Sequence, residues 1–243
     1  YRYKGKKVSV SNMMSKDNKE NYSKFAPNSI MKIDTSFFSD DLKISYKNDF
    51  NELITGIDYF NGESSSDGQN VSKENMGGYI FDKLTVLENI NITAGYRNEV
   101  SELTYSGGEK KKYTKNLIET GVNYKYSPFG NMYFNYSEGY RVPATDEYFE
   151  KWTNYYNENL KPQTIENFEI GVKDGNDIFT GKIAAFMNSA GKEIYYNNIR
   201  CHNENMPGET QRIGVELSAN EYIGESFVFN QYYVYTDSEM KSR

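Results

Sequence analysis

The chain is poor in the residues that disulfide-linked, helical and histidine-dependent proteins need. Its single cysteine, Cys201, excludes an internal disulfide. Its single histidine, His202, together with common and unpatterned carboxylates, gives no basis for an enzyme site such as a Ser-His-Asp triad. Alanine and leucine are scarce, whereas aromatic residues make up 16% of the chain and include 23 tyrosines. This composition favours strands over helices.

Long apolar runs and an excess of positive charge are also missing. No window approaches the roughly 18 consecutive apolar residues of a membrane-spanning helix, and the mean hydropathy is -0.81. These values remain compatible with a membrane β-barrel, in which every second residue can be polar. The formal net charge of -6 gives no reason to expect a nucleic-acid partner.

Period-two alternation recurs through most of the chain and predicts strands with one apolar and one polar face. The apolar positions are Ile90, Ile92, Val122, Tyr124, Ile170, Val172, Ile183, Val215 and Leu217. The opposite positions include Arg97, Glu119, Lys125, Glu169, Lys182, Arg212 and Glu216.

The predicted connectors fall into a short and a long class that alternate along the chain. This alternation is typical of outer-membrane barrels, whereas a β-sandwich has no reason to sort its loops so regularly. All five prolines lie outside the alternating runs, as ladder hydrogen bonding requires. The short connectors are 48–52, 87–89, 127–130, 174–176 and 221–225, and the long ones are 61–75, 105–112, 140–161 and 197–208.

The first 60 residues alternate less clearly. They predict strands near 2–10, 28–37, 41–49 and 53–60, with a polar loop over 11–26. The resulting fold class is all-β: an antiparallel transmembrane β-barrel fragment of about twelve strands, forming one domain over residues 1–243. We expect short periplasmic turns at one end and long extracellular loops at the other. We also expect the apolar positions to face lipid, because a Lys or Arg facing lipid costs about 2–4 kcal/mol at mid-bilayer.

Four successive segments resemble the TonB-dependent outer-membrane receptors. The segment "YFNYSEGYRVPATDEYF" (133–149) is similar to the family's strand ending in aromatic-x-Arg-x-Pro. The segment "NENLKPQTIENFEIGVK" (157–173) resembles its Asn-x-Asn-Leu-x-Pro-Glu element, with Gln163 in place of the glutamate. The segments 181–198 and 212–239 are similar to the next two elements, including the Gly-Val-Glu at 214–216.

The resemblance implies a receptor for active uptake of a scarce nutrient across the bacterial outer membrane, with no covalent chemistry and no cofactor. It implies outer-membrane lipid as surroundings and the inner-membrane TonB complex as a partner, reached through a plug and TonB box that this chain does not show. We therefore expect the chain to be the middle part of a larger barrel. A complete barrel of this type closes at about 22 strands.

In the resembling family, ligands are caught by extracellular loops such as 140–161, which holds the chain's only tryptophan. A ferric siderophore is the expected ligand, because such complexes are often anionic and aromatic and suit cationic and stacking side chains. The alternative is that these aromatics pack the loop against its neighbours or belong to an interfacial girdle. The candidate ligand-binding residues are Arg141, Tyr148, Trp152, Tyr155, Tyr156, Tyr195 and Tyr196.

Other interpretations have less support in the sequence. Haem, cobalamin and glycans remain alternative ligands, although no histidine lies between 141 and 160 for haem. A non-transporting β-rich surface adhesin or binding protein is the alternative from another class. The adjacent Cys201 and His202 make a poor metal site, and the acidic residues at 146, 147 and 150 lack a calcium-loop pattern. The run "EKKKYTK" (109–115) is predicted to be a solvated loop, with contact to anionic lipopolysaccharide as an additional role.

Overall fold

The computed structural model describes residues 2–4, 7–26, 29–66, 69–105, 108, 110–150, 155–157, 159–224 and 226–241. Within these residues the chain is almost entirely strand, with one four-residue helix, and no helix is long and apolar enough to cross a membrane. The elements are β1 (Arg2–Lys4), β2 (Val8–Ala26), β3 (Ser29–Lys47), β4 (Asn51–Ser66), β5 (Gln69–Leu87), β6 (Ile90–Tyr105), β7 (Lys110–Lys125), β8 (Asn131–Arg141), α1 (Thr145–Tyr148), β9 (Phe149–Glu150), β10 (Tyr155–Tyr156), β11 (Gln163–Asn176), β12 (Phe179–Gly191), β13 (Ile194–Asn197), β14 (His202–Asn205), β15 (Glu209–Ile223) and β16 (Phe227–Lys241).

One antiparallel sheet contains twelve of these strands, each paired with the next one along the chain apart from small excursions. The excursions are α1 with the β9–β10 pair, between β8 and β11, and the β13–β14 hairpin, between β12 and β15. A meander places successive connectors at opposite ends of the sheet. The predicted short turns therefore lie at one end of the sheet and the two excursions at the other, which confirms the predicted sidedness and strand number. The β2–β3 and β4–β5 connections lie at the excursion end too, although each separates its strands by only two residues.

Three predicted loops in the first half are wrong, because the structure continues the strands through them. Residues 11–26 belong to β2, and most of 61–75 belongs to β4 and β5. The lysine-rich run from Lys110 is the start of β7. Strands β2 to β7 contain 16 to 19 residues, whereas about 9–11 suffice to cross a bilayer. Each of these strands is therefore longer than a bilayer crossing requires, and its far half needs no apolar alternation.

The predicted break between strands 28–37 and 41–49 is also absent. Residues Ser29–Lys47 form the single strand β3. Its polar centre is held by neighbouring strands, since the Asn12 amide donates to Asp40 Oδ1 over 2.6 Å. Asp40, one of the polar residues that interrupted the sequence pattern, is thus hydrogen-bonded across the sheet.

The register confirms the two predicted faces of the sheet. Ile92, Val122, Phe134, Ile170 and Val215 lie along one row of the outer face. The outer face is an exposed apolar belt, with Ile170 61% and Ile183 63% exposed. On β11 this belt lies between Glu166 and Asp174, about 26 Å along the strand. The charged positions occupy the other, concave face, where ion pairs such as Arg97 to Asp58 span non-adjacent strands at 2.7 Å.

Asp82 is an acidic residue on the outer face that the alternation pattern did not reveal. It lies on β5 between the exposed Ile80 and Leu84, and it pairs with Leu53 and Ala94 on the adjacent strands. Its carboxylate accepts a 2.5 Å hydrogen bond from the Asn51 amide. A carboxylate at this height is costly where lipid surrounds it, and this single amide compensates only part of the cost.

Candidate ligand-binding site in the loops

The segment between β8 and β11 has a small apolar core of its own. Val142, Tyr148 and Leu160 are buried in it together with Leu103 of β6. Leu160 is only 1% exposed, and Pro143 is also fully buried. The residues that carried the family resemblance, Arg-Val-Pro and Asn-x-Asn-Leu-x-Pro, therefore build the interior of this loop.

Tyr148 belongs to this core and is 4% exposed. Its hydroxyl lies 3.2 Å from the hydroxyl of Tyr113, which in turn donates to the Leu160 carbonyl over 2.9 Å. Tyr113 stands on the concave face of β7, so these bonds fold the loop over that face. The geometry fits the structural alternative for Tyr148.

Three asparagines connect this loop to the β13–β14 hairpin. The Asn157 amide donates to the Asn203 carbonyl over 2.6 Å, and the Asn203 amide donates to the Glu147 carbonyl over 3.2 Å. Asn205 accepts from the Lys161 backbone N–H at 2.7 Å and donates to the Lys161 and Lys192 carbonyls at 2.9 and 2.8 Å. The two excursions thus form one continuous cap at the long-loop end.

Arg141 leads from β8 into the cap and is held by a carboxylate. Its guanidinium makes two hydrogen bonds to Glu147, of 2.6 and 2.9 Å, and a third to the Gln163 side chain. Glu147 also accepts the backbone N–H of Ala144 at 2.8 Å, at the start of α1. About 44% of the Arg141 side chain stays exposed, although Nε, Nη1 and Nη2 each donate one of these bonds.

Glu204 organises the hairpin tip. Its carboxylate accepts hydrogen bonds from Asn197 at 2.9 Å, Arg200 at 2.8 Å and Tyr195 at 3.1 Å. The amide of Asn197 and the guanidinium of Arg200 stabilise the charged form, and these contacts lower the pKa of Glu204 to about 2. Cys201, at the tip, has a positive φ of 54°.

Four of the remaining candidate residues lie in strands of the same cap. Tyr195 and Tyr196 are successive residues of β13, and Tyr196 is 46% exposed. Tyr155 and Tyr156 form the short strand β10, paired with β9, and only their backbone is described. Trp152 lies outside the described residues. No group of three or more His, Cys, Asp or Glu side chains arranged for a metal ion occurs among the residues that the structure describes.

Sequence reasoning missed the asparagines that join the cap. Asn157 is part of the motif that resembles the family. That it is buried (7% exposed) and donates a hydrogen bond to Asn203 follows only from the tertiary structure. Nothing in the sequence distinguishes Asn203 and Asn205 from the many other asparagines.

The family model "TonB dependent receptor-like, beta-barrel" matches residues 5–242 of the chain. The chain belongs to the TonB-dependent receptor family. A search of curated protein sequences finds no match. The family membership comes from the sequence match, and the sheet, its apolar outer face and its loop cap agree with it.

Solved structures of TonB-dependent receptors share this fold at low sequence identity. The FrpB iron transporter from Neisseria meningitidis is 15% identical, with a TM-score of 0.79, over 96% of this chain and 41% of its own. The ferric yersiniabactin uptake receptor FyuA from Yersinia pestis is 16% identical, with a TM-score of 0.76, over 99% and 41%. The copper transporter OprC is 13% identical, with a TM-score of 0.75, over 96% and 43%. The chain therefore spans less than half the length of these receptors.

Proposed function

We propose that this chain is part of the barrel of a bacterial outer-membrane receptor that takes up a ferric siderophore. Uptake is energised by the TonB complex of the inner membrane, and lipid surrounds the outer face. Family membership and structural similarity to FrpB and FyuA support this proposal. A β-sandwich adhesin does not fit a single twelve-stranded meander.

The loop cap is the observation that carries the ligand proposal. It is a preorganised, hydrogen-bonded unit at the long-loop end, and its bonds to Tyr113 and Asn203 join two excursions above one concave face. A rigid platform reduces the ordering cost of capturing a ligand. Within it, the proposed ligand-contacting residues are Arg141, Trp152, Tyr155, Tyr156, Tyr195 and Tyr196, while Tyr148 holds the core.

The test is the affinity of the intact receptor for a ferric siderophore, measured in detergent by calorimetry. Cation–π and stacking contacts contribute about 0.5–2 kcal/mol each, so Arg141→Gln combined with Trp152→Phe is expected to weaken binding by about 1–2 kcal/mol or more. The Tyr148→Phe variant keeps the apolar core and is expected to bind normally.

Arg141 also holds Glu147, so a second variant separates recognition from scaffolding. Glu147→Gln removes the ion pair but leaves the guanidinium available. If Arg141 contacts the ligand, Arg141→Gln weakens binding more than Glu147→Gln does. Equal effects of these two variants, or unchanged affinity in the folded double variant, would assign Arg141 to the scaffold alone.

A further inference from the structure

Strands β7 and β8 are paired with each other over only part of their length. Their register ends at the pair of Glu119 with Ser137. Beyond this point β7 continues to Lys110 against β6, whereas β8 pairs only with β11. Among the described residues, no strand pairs with β7 between Lys110 and Ile118 on the side that faces away from β6. This exposed edge of β7 is about 27 Å long.

The separation of the two strands comes from the cap. Strand β8 leads into the cap, where Tyr140 packs against the buried core. The Glu138 carboxylate closes the point of separation, because it accepts the Ile118 N–H over 3.1 Å. A cleft of about 390 Å³ lies beyond it, lined by residues 115–117 of β7 and 138–140 of β8. The cleft therefore lies between consecutive strands of this chain and involves neither β1 nor β16, the outermost strands of the sheet.

The exposed edge presents backbone groups with the spacing of a β-ladder. In an antiparallel strand, alternate residues direct their N–H and C=O groups to opposite neighbours. The Lys125 N–H bonds to Asn89 on the β6 side, whereas the Ile118 N–H bonds on the β8 side. Backbone groups therefore face away from β6 at the even-numbered residues, which also have exposed side chains: Lys110, Lys112, Thr114 and Asn116. Another extended peptide backbone matches this alternation of donors and acceptors.

The charge of the exposed edge selects the class of partner. Residues 110–118 contain four lysines and no acidic residue. Lys110 is paired with Glu102 of β6 at 2.7 Å, and Lys112 is exposed beside it on the outer face. Opposite charges on adjacent strands attract, whereas like charges directly opposite each other are destabilising. The lysines therefore oppose pairing with a second copy of this edge, and they favour an acidic strand.

We propose that the exposed edge of β7 binds an extended acidic segment of another cell-surface protein, which joins the sheet as an additional strand. This interaction goes beyond ligand uptake, and only its location outside the cell rests on the proposed function. The acidic side chains of the segment belong beside Lys110 and Lys112, because Glu138 and Glu166 lie at the other end of the edge, near Ile118. In antiparallel pairing, these acidic side chains lie in the C-terminal half of the segment.

The probe is a fluorescent peptide as long as the exposed edge, with alternating valine and threonine and with glutamates in its C-terminal half. We expect fluorescence anisotropy to detect its binding to the full-length receptor in detergent. Binding should also slow hydrogen exchange at the amides of Lys112, Thr114 and Asn116. The fully N-methylated peptide should not bind, because it cannot donate hydrogen bonds to the edge carbonyls.

Two variants test the backbone and the charge separately. Thr114→Pro removes a donor from the middle of the edge without affecting the pairing with β6. It should weaken peptide binding roughly tenfold or more, whereas Thr114→Val keeps the N–H and should bind normally. Lys112→Glu should weaken binding about threefold or more, because it places like charges opposite each other. Lys16→Glu is the matched control, since Lys16 is an exposed residue of β2 outside the cleft.

Three results would overturn the inference. They are no peptide binding to the folded wild-type receptor, equal binding of the N-methylated peptide, and slow exchange at Lys112, Thr114 and Asn116 in the receptor alone. Equal binding by a folded Thr114→Pro variant also contradicts it, and if that variant does not fold, equal binding by Lys112→Glu does so. A receptor that binds a ferric siderophore but not the peptide refutes only this inference. A receptor that binds the peptide but no siderophore refutes only the uptake proposal.

Discussion

The hydrogen bonds of Asn205 should stabilise the connection between the two loop excursions. Its side chain makes three hydrogen bonds, to the Lys161 N–H and to the carbonyls of Lys161 and Lys192. A typical hydrogen bond contributes about 0.5–1.5 kcal/mol net. Because all three are solvent-exposed, the low end of that range, about 0.5 kcal/mol each, applies. Asn205→Ala should therefore destabilise this connection locally by about 1.5 kcal/mol, while the sheet stays folded.

Hydrogen exchange at the Lys161 amide measures this effect directly, since that N–H donates to Asn205. A loss of about 1.5 kcal/mol corresponds to exchange that is roughly tenfold faster. Asn198→Ala is the control, because Asn198 is exposed in the same excursion and its side chain has no hydrogen bond to the described residues. Unchanged exchange at Lys161 in Asn205→Ala would refute the claim that Asn205 stabilises this connection. Equal acceleration in both variants would show that the excursion responds to any substitution.

Three further predictions concern stability. Asp82→Leu should raise the free energy of unfolding of the receptor by roughly 1–2 kcal/mol in a urea titration in lipid vesicles, because it removes a carboxylate from the apolar outer face at the loss of one hydrogen bond from Asn51; a lower value would show that the Asn51 bond outweighs the cost of that carboxylate. Gly171→Ala should destabilise the sheet by about 1–3 kcal/mol through overpacking against Tyr133, whereas Gly78→Ala, with no atom within 4 Å of an added Cβ, should not; the same titration compares them, and equal effects would contradict the close packing. The lowered pKa of Glu204, about 2, stabilises the hairpin above the unfolded-state value near 4.5, and this contribution is lost as the pH falls towards 2. A spin label on Cys201 should therefore become more mobile between pH 4.5 and 2, and Glu204→Gln should abolish that change; a pH response that persists in Glu204→Gln would exclude Glu204 as its source.

The strands were predictable where apolar and polar residues alternate along the sequence. Ile170, Val172 and Ile183 alternate with polar residues because the two faces of a barrel wall meet different solvents. The same pattern fails in β2, where successive residues from Met13 to Glu20 are exposed on both faces. Only pairing with β3 along its length shows that residues 11–26 form a strand.

For the candidate site too, the sequence identified residues whose roles only the structure shows. The motif residues Val142, Pro143 and Leu160 could be picked out from the sequence, but not their role as the buried core of the loop. Arg141 was predicted as a candidate, yet its pairing with Glu147 appears only in three dimensions.

The sequence by itself determined the family, the antiparallel strand order, the sidedness of the connectors and the face of each belt residue. These follow from local rules: a period of two, short turns and a contiguous motif. The tertiary structure alone decided how far the strands run and which asparagines join the loops. Such features depend on residues more than 30 positions apart, such as Asn205 and Lys161, and no local pattern encodes which distant side chains meet.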